Sequence, residues 1–371
     1  MNVDKPTRPA GKQRIDSLQA LRALAFLGIF LRHARCSVEW AMLGVSVFFV
    51  MSGFLMEYRY GQSDLKSSVK DNLLFSVRKV WGLYPLHILT MIVWIILQIR
   101  FTLPGAPWVA SILGLRKEIL LNVTLTQTWV PDSAVNVSLN GVAWYLSVTL
   151  FLYFTFPWLR RVVERFKLRW LCAACAVLLV AEVAACALLI KRLGADSPAY
   201  VWFMYCFPVF RLGDFFVGCA LKRVYLESGI REAGTLKATA FELLATAATV
   251  LVSLWFNRPH AGVLPTALRN WTSVFIPLAA LWVLLFAARR GLITRVLSNK
   301  ALIWVGNLSA FAFLIHYPIT QYADLLLPLV NVNVAALGRT ALVVIELAAS
   351  IMLSVLYKWI HGAIRSRRRP V

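Results

Sequence analysis

The chain has 371 residues, of which 60% are hydrophobic and 15% are charged, and its mean hydropathy is +0.69. Soluble domains average about a quarter charged residues and under half apolar ones, so this composition excludes an ordinary soluble fold. Lys and Arg number 39 against 17 Asp and Glu, a net charge of +22 that suits either nucleic acid or a membrane as partner. The two partners require different distributions of positive charge along the chain.

Several segments are long and apolar enough to cross a bilayer, since a spanning helix needs about 20 mostly apolar residues. Ten such segments are 18–36, 40–58, 80–100, 139–159, 170–190, 199–221, 237–257, 271–288, 301–322 and 335–360. The sequence therefore predicts an all-α, polytopic integral membrane protein of about ten transmembrane helices. Its predicted parts are a cytoplasmic N-terminal segment 1–17, a transmembrane domain 18–360 and a basic cytoplasmic tail 361–371.

The segments between these helices alternate in positive charge. Those expected on the same side as the N-terminus hold 25 Lys and Arg, and those on the other side hold six. Cytoplasmic loops carry the excess of Lys and Arg, so both termini are predicted to be cytoplasmic. Charges spread as short anchors along one side argue against nucleic acid as a partner, because a nucleic-acid interface gathers them on one face.

The first predicted helix carries the most informative polar pair, Arg22 and His33, which are 11 residues apart. At about 100° per residue both side chains point to one face, roughly 16 Å apart along the helix axis. A guanidinium matches phosphate bidentately, and an imidazole can take a hydroxyl proton as general base. Spacing alone leaves open the alternative that Arg22 anchors the membrane edge and His33 is a hydrogen-bonded interior residue.

Other polar and aromatic side chains at the ends of membrane segments are further candidates for a site: Arg78, Lys79, Tyr84, Trp144, Ser147 and His316. Arg78 and Lys79 are either interface anchors or phosphate contacts. Arg211 and Asp214, three residues apart, can pair with each other. The chain has no HExxH, GxSxG, Walker or GxGxxG motif, and no metal is expected.

Short motifs follow one another along the chain in a characteristic order. They are Leu21-Arg22-Ala23 with His33, Phe48-Phe49-Val50-Met51-Ser52-Gly53-Phe54, Arg78-Lys79 with Tyr84-Pro85, Asn140 with Trp144-Tyr145-Leu146-Ser147, Arg211-Leu212-Gly213-Asp214, and Gly306-Asn307-Leu308-Ser309 with His316 and Pro318. From about Arg14 to Trp359, this order resembles the membrane acyltransferase-3 family. Its members include O-antigen, exopolysaccharide, Nod-factor and macrolide O-acyltransferases.

The resemblance implies a bacterial inner-membrane enzyme that moves an acyl group, most often acetyl from acetyl-CoA, to a hydroxyl of a glycan or other acceptor. It assigns the transfer to Arg22 and His33. His33 is expected to deprotonate the acceptor hydroxyl or to carry the acyl group transiently. The side chains expected to bind the acyl-CoA donor are Arg22, Arg78, Lys79 and Tyr84. Those expected to line the substrate cavity are Ser52, Trp144, Ser147 and His316. Membrane lipid is the other expected partner.

Three positions depart from the family pattern. Ser46 and Thr149 stand where members usually carry an acid, and Gly82 stands where they often carry a second Arg. The departures remove polar side chains from the expected site. The protein is therefore expected either to use a different acceptor or to have reduced catalytic ability. The two missing acids, at Ser46 and Thr149, somewhat favour a rival function, a transporter or flippase for a polysaccharide or lipid-linked sugar. A non-catalytic membrane scaffold is a second rival, and it predicts that Arg22 and His33 tolerate Ala.

Overall fold

A computed structural model describes residues 14–38, 40–63, 65, 68–258, 262–269 and 274–367. Within these ranges the ordered elements are helices, and there is no strand. The all-α prediction is therefore confirmed for the described part of the chain. Residues 1–13 of the predicted segment 1–17, residues 271–273 of the eighth predicted helix and residues 368–371 of the predicted tail lie outside the described residues.

The helices are numbered in chain order over the described residues. They are α1 Ser17–His33, α2 Ala41–Tyr60, α3 Val69–Val80, α4 Tyr84–Thr102, α5 Trp108–Gly114, α6 Arg116–Val123, α7 Ser133–Asn136, α8 Trp144–Arg165, α9 Leu168–Leu193, α10 Pro198–Tyr205, α11 Leu212–Glu227, α12 Thr235–Phe256, α13 Val263–Leu268, α14 Phe275–Ala288, α15 Leu292–Leu297, α16 Lys300–Gly306, α17 Ser309–Leu326 and α18 Val334–Arg367. Short 3₁₀ turns occur at Gln127–Trp129, Gly141–Ala143, Ile230–Glu232 and Leu327–Val330.

Among the described residues, six helices are long and apolar enough to cross a membrane, namely α2, α4, α8, α9, α12 and α18. The pair α16 and α17, bent by 69°, makes a seventh span if it is counted as one broken helix. Helices α1 and α14 cover two further predicted segments but have only 17 and 14 residues. These helices support an integral membrane protein. The count of ten and the cytoplasmic placement of both termini stay predictions.

The sixth predicted segment, 199–221, does not form one helix. It is divided between α10 and α11, and Pro208 lies between them. Proline lacks a backbone N–H and disfavours helical geometry in the residue before it, so Pro208 favours a break in the helix at this point. The break brings Arg211 and Asp214 to the beginning of α11. There they form an ion pair with an N–O distance of 3.5 Å, and both side chains are 0% exposed.

Helix α2 lies at the centre of the bundle, against α1, α11 and α14. Its most apolar stretch is 72% buried, whereas that of α9 is 11% buried, so α9 presents its side chains outward. Glycines allow α2 and α11 to approach closely: a Cβ added to Gly218 would lie 2.0 Å from the carbonyl oxygen of Val50. Small residues at helix crossings are typical of membrane bundles, where close backbone packing replaces the hydrophobic effect.

Candidate active site

Helix α1 places the predicted pair at opposite ends of the bundle's inner surface. It packs against α2, α14, α16 and α17, most of its residues are buried, and Arg22 and His33 are half-buried. Because both residues lie within one unbroken helix, the shared face predicted from their spacing is retained.

Arg22 opens into a cavity of about 220 Å³ between α1, α2, α3, α8 and α17. The lining side chains are mostly aromatic or aliphatic, with two cations and several hydroxyls: Arg22, Phe48, Ser52, Lys79, Val80, Leu83, Tyr145, Leu146, Thr149, Tyr153, Ala310, Phe313 and Leu314. None of these lining residues of the described chain is Asp or Glu. The cavity is therefore cationic, and an anion is the ligand its charge favours.

The polar groups in this cavity bond to uncharged neighbours. Arg22 Nη1 donates to the side-chain oxygen of Gln19 at 3.3 Å. Lys79 Nζ donates to the Tyr60 hydroxyl and lies 3.9 Å from the centre of that ring. In the described part of the chain, neither cation has a carboxylate within 4.0 Å. Both charges thus remain available to a bound anion.

Ser52, the third predicted residue in the cavity, is hydrogen-bonded across it. Its Oγ lies 2.8 Å from the hydroxyl of Tyr153, and either oxygen can donate. Tyr153 belongs to a row of α8 side chains that line the cavity, Tyr145, Thr149 and Tyr153, none of which was predicted from the sequence as a cavity residue. They are spaced four residues apart and so share a helix face. The four-residue spacing could have indicated this polar face from the sequence, but the residues around it are mostly apolar and the pattern does not stand out.

At the other end of α1, His33 contacts His316 of α17. The Nδ1 atom of His33 lies 2.8 Å from Nε2 of His316, and the two rings stack with centres 5.1 Å apart at 22°. His316 Nδ1 lies 3.1 Å from the carbonyl oxygen of Ala312. The ring of Tyr317 meets His33 edge-on, with centres 5.0 Å apart. His316, predicted in the substrate cavity, instead packs against His33 and is not among the side chains lining the cavity at Arg22.

Two residues expected to bind the donor lie outside the Arg22 cavity. Arg78 is exposed on α3, one position before Lys79 and turned away from the cavity. The Tyr84 hydroxyl donates to the carbonyl oxygen of Val123 at 2.8 Å, and its ring stacks on Trp81 at 5.5 Å. Adjacent helical residues point about 100° apart, so only Lys79 of the basic pair reaches the cavity.

Two residues expected to line the substrate cavity are buried in packing beside it. Ser147 Oγ donates to the carbonyl oxygen of Leu125 at 2.6 Å and also lies 2.6 Å from Thr128 Oγ1. Trp144 is 3% exposed, and its ring packs against Tyr205 with centres 4.5 Å apart. Both side chains therefore hold α8 against its neighbours in the described structure.

The departures from the family pattern fall in three different environments. Thr149 lines the cavity beside Arg22, so the acid missing there leaves the cavity more cationic. Ser46 is 0% exposed within α2 and does not line it. Gly82 lies in the turn between α3 and α4, where an added Cβ meets no atom within 4 Å. Only the Thr149 departure directly alters the charge of this cavity.

Comparison with known proteins identifies the family of this chain. The sequence profile described as an acyltransferase domain matches residues 15–359. The chain is 25% identical over 343 residues to a protein named acyltransferase MdmB from Streptomyces mycarofaciens, and the match covers 85% of this chain and 81% of that one. No solved structure matches the chain. The matched range contains the Arg22 cavity and the His33–His316 pair, and it confirms the resemblance to the acyltransferase-3 family, to which this integral membrane protein belongs.

Proposed function

We propose that this protein is an O-acyltransferase of the bacterial inner membrane, which moves an acyl group, most simply acetyl, from acyl-CoA to a hydroxyl of an exported or cell-surface glycan. The observation that carries the proposal is the arrangement along α1. Arg22 faces a cationic cavity at one end, and His33 lies at the other end of the same helix. Membership of an acyltransferase family supplies the type of reaction.

The charge of the cavity supports a CoA thioester as the donor. CoA carries phosphate groups, and Arg22 and Lys79 are two cations without carboxylate partners that line one space. Guanidinium binds phosphate oxygens with paired hydrogen bonds, and ammonium binds them as a point charge. The positive-inside pattern predicts that the Arg22 end of α1 is cytoplasmic, the side on which acyl-CoA is made.

The position of His33 supports its role as general base. Eleven residues of helix separate it from Arg22 by about 16 Å, so a donor held by its phosphates would extend its thioester arm along α1. The His33 imidazole takes the proton of the acceptor hydroxyl while that oxygen attacks the thioester carbonyl carbon. The carbon–sulfur bond then breaks, and the departing CoA sulfur receives the proton from His33. One acyl ester and one free CoA thiol are formed.

The test uses membranes containing the full chain, radiolabelled acetyl-CoA and the host's glycan acceptor. His33→Ala is expected to lower transfer by about 100-fold or more, since a general base contributes roughly 10²–10⁴-fold. His361→Ala is the matched control, because His361 lies in α18 and stacks on Tyr357, away from the cavity. Unchanged base-labile acetyl on the glycan in the His33→Ala strain, at normal expression, would contradict the role of His33. Export loss without acetyl loss would favour a transporter.

A further inference from the structure

We infer that His316 is a positioning residue that fixes the tautomer of His33, leaving the Nε2 lone pair of His33 free to take the acceptor's proton. This inference rests on the proposed function, in which His33 is the general base. This role differs from the predicted one of lining a substrate cavity, because His316 contacts His33 and does not line the Arg22 cavity.

The carbonyl oxygen of Ala312, at the end of this chain of hydrogen bonds, determines the direction of each bond. A backbone carbonyl can only accept, so His316 Nδ1, 3.1 Å from the Ala312 oxygen, carries the hydrogen. A neutral imidazole has one N–H, so Nε2 of His316 is then an acceptor. It lies 2.8 Å from Nδ1 of His33, which must therefore donate. The remaining nitrogen of His33, Nε2, keeps its lone pair.

The packing around His316 prevents it from turning away from this bond. Its side chain is 0% exposed, and its ring is met edge-on by Phe26 and Phe30 of α1, with ring centres 5.7 and 6.1 Å away. Tyr317 contacts the His33 ring and is itself stacked on Trp94 at 5.2 Å. His33, in contrast, is half-buried. One histidine is thus held in the interior as an orienting group, and the other keeps an accessible side.

This order of bonds suits the proton movements of the transfer. Before reaction, the chain runs from His33 Nδ1–H to His316 Nε2 and from His316 Nδ1–H to the Ala312 oxygen. When His33 Nε2 takes the hydroxyl proton, Nδ1–H is still bonded to His316, which holds the ring in place while it carries charge. His33 Nε2–H then gives the proton to the departing CoA sulfur, and the pair returns to its first state. A base in the wrong tautomer would present N–H to the hydroxyl and could not accept its proton.

The test compares two amides at position 316. A Gln side chain reaches the position of Nε2 and retains an acceptor toward His33, whereas Asn reaches only the position of Nδ1. In membranes with saturating acetyl-CoA and acceptor, His316→Asn is expected to lower kcat about 100-fold, and His316→Gln no more than about 10-fold, with KM for acetyl-CoA unchanged in both. A merely structural role predicts that the two amides behave alike. Three results would overturn the inference: equal losses of kcat in the two variants, a kcat of His316→Asn equal to that of the wild type, or a raised KM with unchanged kcat.

A second measurement does not depend on activity. The chain has five histidines, so ¹⁵N-histidine spectra of the full-length protein in lipid can be assigned by removing His33 or His316 in turn. The neutral His33 ring is expected to carry its hydrogen on Nδ1 in the wild type and in His316→Gln, and to mix both tautomers in His316→Asn. A His33 hydrogen on Nε2 in the wild type would overturn the inference. Full activity of His33→Ala would overturn both the proposed function and this inference. If His33→Ala is inactive but His316→Asn is fully active, only the role of His316 is overturned.

Discussion

Asn140 donates a side-chain hydrogen bond across 2.9 Å to the carbonyl oxygen of Leu314, which lies four residues before Pro318 in α17. In a continuous helix that carbonyl would accept from the N–H of residue 318, but proline has none. Asn140 therefore satisfies a backbone acceptor that the proline leaves unpaired. Its amide also donates to Thr90 Oγ1 at 2.9 Å, so Asn140 links α4 to α17, the helix that carries His316.

We expect Asn140→Ala to lower the free energy of unfolding by about 1–2 kcal/mol, because it leaves the Leu314 carbonyl unpaired in a buried environment. In a Pro318→Ala background, residue 318 regains an N–H and can bond Leu314 itself, so the same Asn140→Ala change should cost less. The measurement is a double-mutant cycle of unfolding in mixed detergent micelles. Equal costs in both backgrounds would show that Asn140 does not act through the carbonyl that Pro318 frees.

Sequence periodicity predicted the features that lie within a single helix. The shared face of Arg22 and His33 required only the geometry of one unbroken helix, and α1 is unbroken. The pairing of Arg211 with Asp214 likewise follows from a separation of three residues. Such features depend on local geometry, which neighbouring residues determine.

Features that depend on packing between helices could not be predicted in this way. His33 and His316 are 283 positions apart, and only the contact of α1 with α17 brings their rings together. The choice between Arg78 and Lys79 depends on how α3 is rotated against α8, which the basic pair does not reveal. The division of 199–221 was signalled by Pro208, but high hydropathy on both sides concealed it.

The crossing of α2 and α11 predicts a strong effect of one methyl group. Gly218→Ala places a Cβ 2.0 Å from the Val50 carbonyl oxygen, and backbone atoms on both helices cannot yield without separating them. We expect this overpacking to cost about 1–3 kcal/mol or more of unfolding free energy. Gly362→Ala in α18 is the control, since its Cβ would meet nothing within 4 Å and alanine is the better helix former. Equal thermal stability of the two variants in detergent would contradict the close crossing.

The contacts of Glu242, at the junction of α12 and α15, predict a loss of stability when this residue is replaced. Its carboxylate, 1% exposed, accepts from the backbone N–H of Ile293 at 2.8 Å and from Thr294 Oγ1 at 2.6 Å. Glu242→Ala leaves these donors unpaired at the first turn of α15 and should lower the unfolding free energy by about 1–3 kcal/mol. Glu232→Ala, at an exposed position of a 3₁₀ turn, should change it by less than about 0.5 kcal/mol. Comparable losses in the two variants would show that Glu242 does not hold α15.

The adjacent cations of α3 provide a direct test of where the donor's phosphates bind. Lys79 lines the cavity with Arg22, whereas Arg78, one residue earlier, is exposed outside it. Lys79→Gln removes one of two positive charges from a cavity that has no Asp or Glu among its described lining residues, and we expect KM for acetyl-CoA to rise about 10-fold, since a charged hydrogen bond contributes roughly 1.5 kcal/mol or more. Arg78→Gln removes the same charge from the same helix and should leave KM within about twofold of wild type. Initial rates of acetyl transfer at varied acetyl-CoA give both values. A larger rise in KM for Arg78→Gln than for Lys79→Gln would place the phosphates at the exposed face of α3, because each variant removes one positive charge from a different side of that helix.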